Sequence, residues 1–404
     1  MKSNWNSGVL GDFLEVKGGK RLPKGVQLQT EPNTHPYVRI RDITSKKYLE
    51  LNNEYEYVDD ETQKTIARYI VNSGDVIISI VGTIGLVGII GESLDNANLT
   101  ENCAKLINVR ELDREFLYYY LLSPAGREEI HKGTVGAVQP KLPIKNIQAI
   151  KINFPSFEEQ KKIAGVLAAI DAKIAMNEEI NKNLGQQAQA LFKAWFVDFE
   201  AFSGEMPNGW IFAKFGDIAE MSTSSFSPAK NPDAVVEHYS IPAFDEKKYP
   251  VFEVADGIKS NKYILSPNSV MISKLNPDTK RVWRPYCISS LAISSTEFIV
   301  FEAKNPAYRD FVYSIIDSAA FSNHMCAHTS GSTNSRQRTM PKTTLDFEFI
   351  LPTEDVIRHF CEIVTPMYDL IQANVIENQR LAEARDGLLP KLMSGELDIT
   401  EIDI

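Results

Sequence analysis

Two long heptad seams, each interrupted at its middle by asparagines, constrain this 404-residue chain more than any other feature. From residue 163 to 195, apolar residues alternate at steps of four and three, with Asn177 and Asn181 at two of the positions. The same spacing runs from residue 360 to 392. At about 1.5 Å per helical residue the first seam is about 50 Å long, and such a stripe needs a partner in water. The spacing predicts two helices that pair as a coiled coil.

The asparagines are predicted to fix the register of this pairing. Asn374 and Asn378 stand 197 residues after Asn177 and Asn181. An antiparallel pairing puts Asn177 opposite Asn378 and Asn181 opposite Asn374, but a parallel pairing in equal register also matches asparagines, so the sequence alone leaves the direction open. A buried asparagine costs stability and penalises slipped registers, because a shift leaves amides facing hydrocarbon. The alternative is that each helix packs only on its own domain.

The second half of the chain repeats the first in order, which indicates two copies of one unit. Each copy opens with about 150 residues of short β-branched runs separated by turn residues, and closes with a helix. We predict an α+β fold with two strand-rich domains at residues 1–155 and 201–352, each followed by a helix, in residues 156–200 and 353–404. The matching segments are Leu10–Val16 with Phe215–Met221, Tyr69–Ser79 with Tyr263–Ser273, Glu115–Ser123 with Asp310–Ser318, and Ile150–Gln160 with Phe347–Ile357.

Local signals mark where the two long helices begin and end. Ser156 with Glu159 forms a capping box for the first helix, and Thr353 occupies the matching position before the second. The Ser394-Gly395 pair is a natural C-cap for the second helix. Both helices are therefore predicted to start directly after the strand-rich domains.

Composition limits the classes of function. The formal net charge of −10 argues against a broadly basic surface, so affinity for DNA has to come from local clusters. The four cysteines stand far apart without metal-ligand spacing and are predicted to be reduced structural thiols. The absence of a basic, apolar leader favours the cytoplasm. The uncharged run Val76–Ile90 is shorter than a membrane span, and its β-branched residues and glycines predict two buried strands around a turn.

Basic loops at matching places in the two copies are the candidate DNA-binding elements. His131–Lys145 and Thr329–Lys342 combine lysine or arginine with hydroxyl and amide side chains, and neither contains an acid. These residue types contact phosphates and base edges. Each loop alone is more often a solvated surface, but recurrence in both copies favours function. The candidate DNA-binding residues are Lys20, Arg21, Arg39, Arg41, Lys132, Thr134, Gln139, Lys141, Lys274, Lys280, Arg281, Arg284, Ser332, Asn334, Arg336, Gln337 and Arg338.

Three segments together carry a resemblance to a known family. They are Phe154–Glu200, which begins FPSFEEQKKIAGVLAAIDAKI, Gly74–Gly85 (GDVIISIVGTIG) and Leu388–Ile399 (LLPKLMSGELDI). The whole chain resembles the specificity subunit of type I restriction-modification systems. The resemblance implies two target-recognition domains held apart by two helices in an antiparallel coiled coil with pseudo-twofold symmetry. The second helix, which begins TEDVIRHF, departs from the family pattern at its start.

The resemblance also implies a function. The chain is expected to read a bipartite double-stranded DNA site and to position two methyltransferase subunits on it, together with restriction or translocase subunits where a system has them. The partner methyltransferases flip an adenine and methylate it with S-adenosylmethionine, and the restriction subunit uses ATP and Mg. No catalytic residue, metal, cofactor or membrane contact is assigned to this chain.

Two other functions stay open from the residues alone. Asp233, Asp245 and Lys247 satisfy the loose pattern of a self-contained metal-dependent DNA nuclease. An interaction scaffold that does not bind DNA is the second alternative. Residues 305–308 (NPAY) imitate an adenine-methyltransferase motif, but Asn at an N-cap followed by Pro explains them more simply. Residues 82–88 lack the glycine spacing of a dinucleotide loop.

Overall fold

The structure is a computed structural model of the chain and describes residues 5–44, 46–330 and 337–399. The chain divides into two compact units. Unit 1 comprises Met1–Lys173 and Leu381–Ile404, and unit 2 comprises Ile174–Arg380. This division cuts through both long helices, so each helix contributes one end to each unit. The four-part division by element type stays a prediction.

Unit 1 mixes short strands and short helices. Its strands are β1 Asn6–Val9, β2 Glu15–Gly18, β3 Tyr37–Val38, β4 Tyr48–Leu49, β5 Val76–Ser79, β6 Val87–Ile90, β7 Asn98–Leu99, β8 Cys103–Ile107 and β9 Lys151–Phe154. Its helices are α1 Leu10–Phe13, α2 Asp60–Ile66, α3 Arg114–Leu122, α4 Pro124–Gly133, α5 Ile144–Gln148 and the first part of α6 Phe157–Phe196. The main sheet has the order β2-β8-β5-β6-β4, while β1 pairs with β9 and β3 with β7.

The uncharged run of unit 1 forms two buried strands around a glycine turn, as the sequence predicts. β5 and β6 are antiparallel, with Val76 opposite Ile89, and both strands are buried along their length. Gly82 and Gly85 in the turn have φ angles of +77° and +84°, a region that residues with a Cβ rarely adopt. The alternation of β-branched and glycine residues therefore encodes a strand, a turn and a strand.

Unit 2 contains more strands than unit 1 in the described part of the chain. Its strands are β10 Ile211–Lys214, β11 Ala219–Ser222, β12 Ser225–Phe226, β13 Val235–Tyr239, β14 Val251–Val254, β15 Lys262–Ile264, β16 Ser269–Ser273, β17 Val282–Trp283, β18 Ala292–Ser294, β19 Phe298–Ala303, β20 Thr329–Ser330, β21 Arg338–Thr339 and β22 Glu348–Leu351. Its helices are α7 Phe215–Ile218, α8 Ile241–Lys247, α9 Arg309–Ile316, α10 Ala319–Ala327 and most of α11 Glu354–Ser394, together with the second part of α6.

The repeat in the sequence is a repeat in the fold. β1 pairs with β9 just before α6, and β10 pairs with β22 just before α11. The order β2-β8-β5-β6 in unit 1 corresponds to β11-β19-β16-β17 in unit 2. The helix pair α3 and α4 likewise corresponds to α9 and α10. Unit 2 also has the five-stranded sheet β12-β15-β18-β13-β14, which no segment match in the sequence predicts.

The two long helices run antiparallel, which decides the direction that the sequence leaves open. Within unit 2, Asn177 Nδ2 donates to Asn378 Oδ1 and Asn374 Nδ2 donates to Asn181 Oδ1, each at 2.8 Å. Further along the same seam, the Trp195 ring packs against Phe360, with the ring centroids 5.9 Å apart.

Unit 1 contains the other end of the helix pair. There, Leu167 of α6 and Leu392 of α11 are completely buried in one core, against which Leu388 packs. In the same region Arg385 Nη1 donates to Asp171 Oδ1 at 2.8 Å. The predicted α+β fold with an antiparallel helix pair is confirmed, and the alternative of two unpaired helices is wrong.

The predicted helix ends agree with the structure. Ser156 Oγ accepts a hydrogen bond of 3.4 Å from the backbone N–H of Glu159 at the start of α6. α11 ends at Ser394, directly before Gly395 with φ +70°. The Asn305 side chain accepts from the N–H of Ala307 at 3.1 Å, which is the capping role that we predict for it. Among the helices of the described residues, none has the length and hydropathy of a membrane span.

Candidate nucleic-acid interface

In unit 1, a short hairpin between α4 and α5 carries the middle of the predicted basic loop. Val135 and Lys141 exchange two backbone hydrogen bonds of 2.8 Å each, so the residues between them form the tip. Gly136 has φ +98°, and a Cβ at this position would lie 2.7 Å from the carbonyl oxygen of Gln139. The tight tip therefore requires glycine. Val138 in the tip is 93% exposed, so the tip projects into solvent.

This hairpin is joined to the glycine turn that follows β5. Lys141 forms a second antiparallel bridge, with Val81, and the N–H after Lys141 donates to the carbonyl of Ile80 at 2.9 Å. The hairpin and the turn therefore form one surface, which we call platform 1 and define as residues 80–85 and 134–142. It brings the predicted residues Thr134, Gln139 and Lys141 together.

Unit 2 contains the same arrangement. β20 and β21 form its hairpin, and Arg338 forms an antiparallel bridge with Leu275 in the loop after β16. The N–H after Arg338 donates to the carbonyl of Lys274 at 3.0 Å. We call this surface platform 2 and define it as residues 274–281, 329–330 and 337–339. Two loops that are distant in the sequence therefore meet in the same way in both units.

Platform 2 brings the predicted residues Lys274, Gln337 and Arg338 together. The carbonyl of Gln337 accepts a hydrogen bond of 2.9 Å from the N–H of Asn276. The Gln337 side chain is half-buried, whereas Arg338 is exposed. The predicted residues Ser332, Asn334 and Arg336 lie outside the described residues.

Asn276 is a platform residue that is not among the predicted DNA-binding residues. It has φ +49°, and its Oδ1 is buried with no hydrogen-bond partner in the part of the chain that the structure describes. An unsatisfied buried amide oxygen is costly and therefore needs an explanation. The signal for this position is the Asn276-Pro277 dipeptide, a common turn pair directly after a strand.

Most of the predicted cations have a carboxylate partner. Exposed ion pairs of this kind contribute little to stability, so phosphate groups can compete for the cations. Lys20, Lys141 and Lys274 differ, because no carboxylate of the described residues lies within ion-pair distance of them. The pairs are Arg21 with Glu101, Arg39 and Arg41 with Glu56, Lys132 with Glu128 and Glu129, Lys280 with Asp317, Arg281 with Asp245, and Arg338 with Glu297.

The cations near the start of the chain lie in two polar clusters of unit 1. Lys20 Nζ lies 5.5 Å from the centroid of the Tyr69 ring, a cation–π distance. Asp42 contacts Arg41 and accepts a 2.7 Å hydrogen bond from the N–H of Arg39. Burial raises the pKa of Asp42 to about 6, against the opposing effect of Arg41. These clusters hold the arginines beside acids rather than projecting them freely.

Arg284 has a structural environment. Its side chain is only 7% exposed and binds two carboxylates, with Nε 2.8 Å from Asp310 Oδ1 and Nη2 2.6 Å from Asp369 Oδ1. Burial alone raises the pKa of Asp310, but Arg309 and Arg284 hold that pKa below its ordinary value. Thr365 Oγ1 also donates to Asp310, at 2.7 Å. Because this guanidinium is committed to the interior of unit 2, we leave Arg284 out of the proposed interface.

Two residues of the nuclease alternative contact oppositely charged groups. Asp245 is held by Arg281, whose Nε and Nη2 donate to the two carboxylate oxygens at 2.6 and 2.9 Å. Lys247 Nζ lies 3.8 Å from Glu246. Within the described residues, no group of three or more His, Cys, Asp or Glu side chains is arranged to hold a metal ion. The position of Asp245 is therefore explained by its ion pair with Arg281.

The chain therefore combines a duplicated α+β unit, a hairpin platform with basic residues in each copy, and an antiparallel helix pair. A family model described as "Type I restriction modification DNA specificity domain" matches residues 2–186. The predicted resemblance to the specificity subunits of type I restriction-modification systems is therefore confirmed.

Similar proteins extend the match over the whole chain. The MjaIX specificity subunit of Methanocaldococcus jannaschii is 23% identical, over 99% of this chain and 95% of that protein. The HindI specificity subunit of Haemophilus influenzae is 24% identical, over 98% of this chain and its full length. A crystal structure of the type I system S subunit from M. genitalium shares the fold, with a TM-score of 0.58 at 16% identity, covering 97% of each chain.

Proposed function

We propose that each unit reads one half of a bipartite DNA target and that the helix pair sets the number of unread base pairs between the halves. The chain is a DNA specificity subunit of a type I restriction-modification complex. The observation that supports the division of labour is the recurrence of the hairpin platform in both units with different side chains. Two copies of one frame with different loops suit two different half-sites.

The two kinds of residue on the platforms suit two kinds of contact. Exposed cations on or beside the platforms, such as Lys280 in platform 2 and Lys132 in α4 next to platform 1, are proposed to contact phosphates, which position a protein on DNA without reading sequence. Amide and guanidinium groups such as Gln139 and Arg338 are proposed to reach base edges, where hydrogen bonds distinguish base pairs. Lys20, Arg21, Arg39 and Arg41 are proposed as further phosphate contacts of unit 1. Arg21, Arg39 and Arg41 each pair with a carboxylate in the free protein.

The chain is proposed to act with other subunits. Two methyltransferase subunits are proposed to assemble with it and to methylate adenines from S-adenosylmethionine, each flipping its target base out of the duplex. A restriction subunit using ATP and Mg is proposed to join where a system encodes one. Because the proposed target is cellular and incoming DNA, the expected place of action is the cytoplasm.

The sharpest test exchanges the inner part of one unit. Residues 10–150 lie between β1 and β9, and Val9 and Lys151 are paired neighbours in that sheet. Residues 10–150 are replaced with the matching segment of a relative that has another target. This exchange leaves the strand pair of β1 and β9 and the helix α6 unchanged. We expect the methylated site of the assembled complex to change in one half only, measured by sequencing methylated adenines in DNA.

The matched control exchanges residues 215–347, which lie between the paired residues Lys214 and Glu348 of unit 2. It should change the other half only. A chimera that alters both halves contradicts modular reading. A scaffold that does not bind DNA predicts no salt-dependent binding, whereas each phosphate contact steepens the dependence of log affinity on log salt by about 0.9.

A further inference from the structure

Platforms 1 and 2 place different residues at one equivalent backbone position. Lys141 in unit 1 and Arg338 in unit 2 both form the antiparallel bridge to the loop after the central strand. The residue opposite the start of that loop directly precedes the neighbouring strand, which is β8 in unit 1 and β19 in unit 2. In unit 1 this residue is Asn102, whose carbonyl accepts from Ile80 N at 2.8 Å. In unit 2 it is Glu297, whose carbonyl accepts from the equivalent backbone N–H at 2.9 Å.

Glu297 holds Arg338 in a two-point contact. Arg338 Nε donates to Oε2 at 2.9 Å and Nη2 donates to Oε1 at 3.2 Å. The side chains are 44% and 30% exposed. Stability does not explain the pair, because exposed ion pairs contribute little to it. The contact does fix the plane of the guanidinium, which an unpaired arginine at the surface would not maintain.

The contact also decides which donors of Arg338 remain. A guanidinium has five N–H groups in a rigid fork. Glu297 accepts from Nε and from one N–H of Nη2, so three N–H groups on Nη1 and Nη2 remain for acceptors other than Glu297. The outer edge of the fork, one N–H from each terminal nitrogen, matches the O6 and N7 acceptors of guanine in the major groove.

We propose that Arg338 reads a guanine in the half-site bound by unit 2 and that Glu297 is the residue that positions it. This inference rests on the proposed DNA-reading function and adds the base, the residue and the edge of the side chain used. Lys141 has no such acid beside it, because unit 1 has Asn102 at that place. Its flexible ammonium group suits a phosphate contact instead.

The test uses the chain assembled with its methyltransferase subunits and a DNA library randomised over both half-sites. With the wild-type complex, one position of the unit 2 half should show a strong preference for guanine. Arg338→Lys keeps the charge but loses the fork, so it should reduce that preference roughly 10- to 100-fold. Glu297→Gln should reduce the preference at the same position by roughly 10-fold. The other positions and the unit 1 half should keep their preferences.

The control is Asp346→Asn, which removes one negative charge from another exposed ion pair of unit 2, with Lys214 at 2.9 Å. It should leave all base preferences unchanged, although it alters net charge as Glu297→Gln does. If Glu297→Gln and Arg338→Lys weaken binding to all sequences equally, or change nothing, Arg338 is not a base reader and the inference is wrong. A wild-type complex without a bipartite site would instead refute the proposed function itself.

Discussion

In both units a short helix contacts a long helix at matching positions, but the tyrosine lies on the short helix in unit 1 and on the long helix in unit 2. In unit 1, Tyr119 of α3 donates to Asp171 of α6 at 2.6 Å. In unit 2 the matching positions hold Ser314 of α9 and Tyr368 of α11, whose hydroxyls lie 3.0 Å apart. The location of the polar contact is therefore the same in both units, while the residues that make it differ. The repeat preserves the frame and leaves the side chains free to change.

A second pair of matching positions leads to the same conclusion. Glu115 of α3 binds Lys47 at 2.8 Å, whereas its counterpart in α9, Asp310, binds Arg284 at 2.8 Å. Lys47 directly precedes β4, and Arg284 directly follows β17, so each unit supplies the cation from a different strand. The acid therefore occupies the same position in both copies of the fold, whereas its cationic partner does not. This comparison makes predictions that differ between the two units.

The largest expected effect is on the buried pair of unit 2. Arg284→Met leaves Asp310 and Asp369 without this guanidinium, and losing one partner of a buried ion pair typically costs about 3 to 5 kcal/mol. Lys47→Met in unit 1 should cost less, because the Glu115 side chain is 29% exposed, whereas the Asp310 side chain is 3% exposed. Denaturant unfolding of both variants measures the difference. Equal losses of unfolding free energy in the two variants would show that Glu115 and Asp310 are equivalent, which would contradict the difference between the units.

The pH dependence gives a second measurement on these variants. Because the pKa of Asp310 is lowered below its ordinary 3.8, its ionised form stabilises unit 2. That contribution is present above the unfolded pKa and is lost as the pH falls through the folded one. In Arg284→Met the pKa of Asp310 should rise, so stability should be lost at a higher pH than in the wild type. An unchanged acid transition would contradict this account.

The helix pair differs between the units too, and this gives the next largest effect. The seam of unit 2 contains amide pairs, whereas unit 1 has the pair of Arg385 and Asp171 beside its leucines. Asn177→Leu should cost about 1 to 3 kcal/mol, because it leaves Oδ1 of the half-buried Asn378 without the donor that Asn177 supplies. Adding Asn378→Leu should recover most of the loss, because replacing both partners with apolar groups is close to neutral. Unfolding of the single and double variants tests this. If the double variant does not recover stability, the asparagine pair has a role beyond fixing the register of the two helices.

The frame was predictable because its signals are local or periodic. The heptad seams, the glycine turn between β5 and β6 and the C-cap at Gly395 all lie in short stretches of sequence. The acid partners of the candidate cations were not predictable, since Glu101 lies 80 residues from Arg21 and Glu297 lies 41 residues from Arg338. Only the fold brings such groups together.

Burial explains the other differences between sequence and structure. Arg284 stands in a basic cluster of the sequence, but β17 turns it inward towards Asp310. The five-stranded sheet of unit 2 joins β13 and β18, which pair in parallel across more than fifty residues, and periodicity does not report such pairing. Local patterns therefore identify the repeated frame, while the site depends on contacts between distant segments.

A smaller effect is expected where the two units share a single hydrogen bond. Tyr119→Phe should cost about 1 kcal/mol, the usual net value of one hydrogen bond, and Ser314→Ala up to about 2 kcal/mol, because the Ser314 hydroxyl also donates to the carbonyl of Asp310 at 2.7 Å. Asp171 keeps Arg385 as a partner in the first variant, so its cost should not exceed that of the second. Thermal unfolding at fixed pH compares them. A much larger cost for Tyr119→Phe would place the Tyr119 hydroxyl in a wider network than the matched positions indicate.

The smallest expected effect separates the two platforms. If Lys141 contacts a phosphate, Lys141→Ala should weaken DNA binding by a similar factor for all sequences and lower the slope of log affinity against log salt by about 0.9. Arg338→Ala should lower the slope too, but it should also lose the base preference of one half-site. Binding titrations at several salt concentrations, with matched and mismatched half-sites, distinguish these outcomes. If Lys141→Ala changes the base preference in the unit 1 half, both hairpins read bases. Base reading would then not require an acid beside the cation.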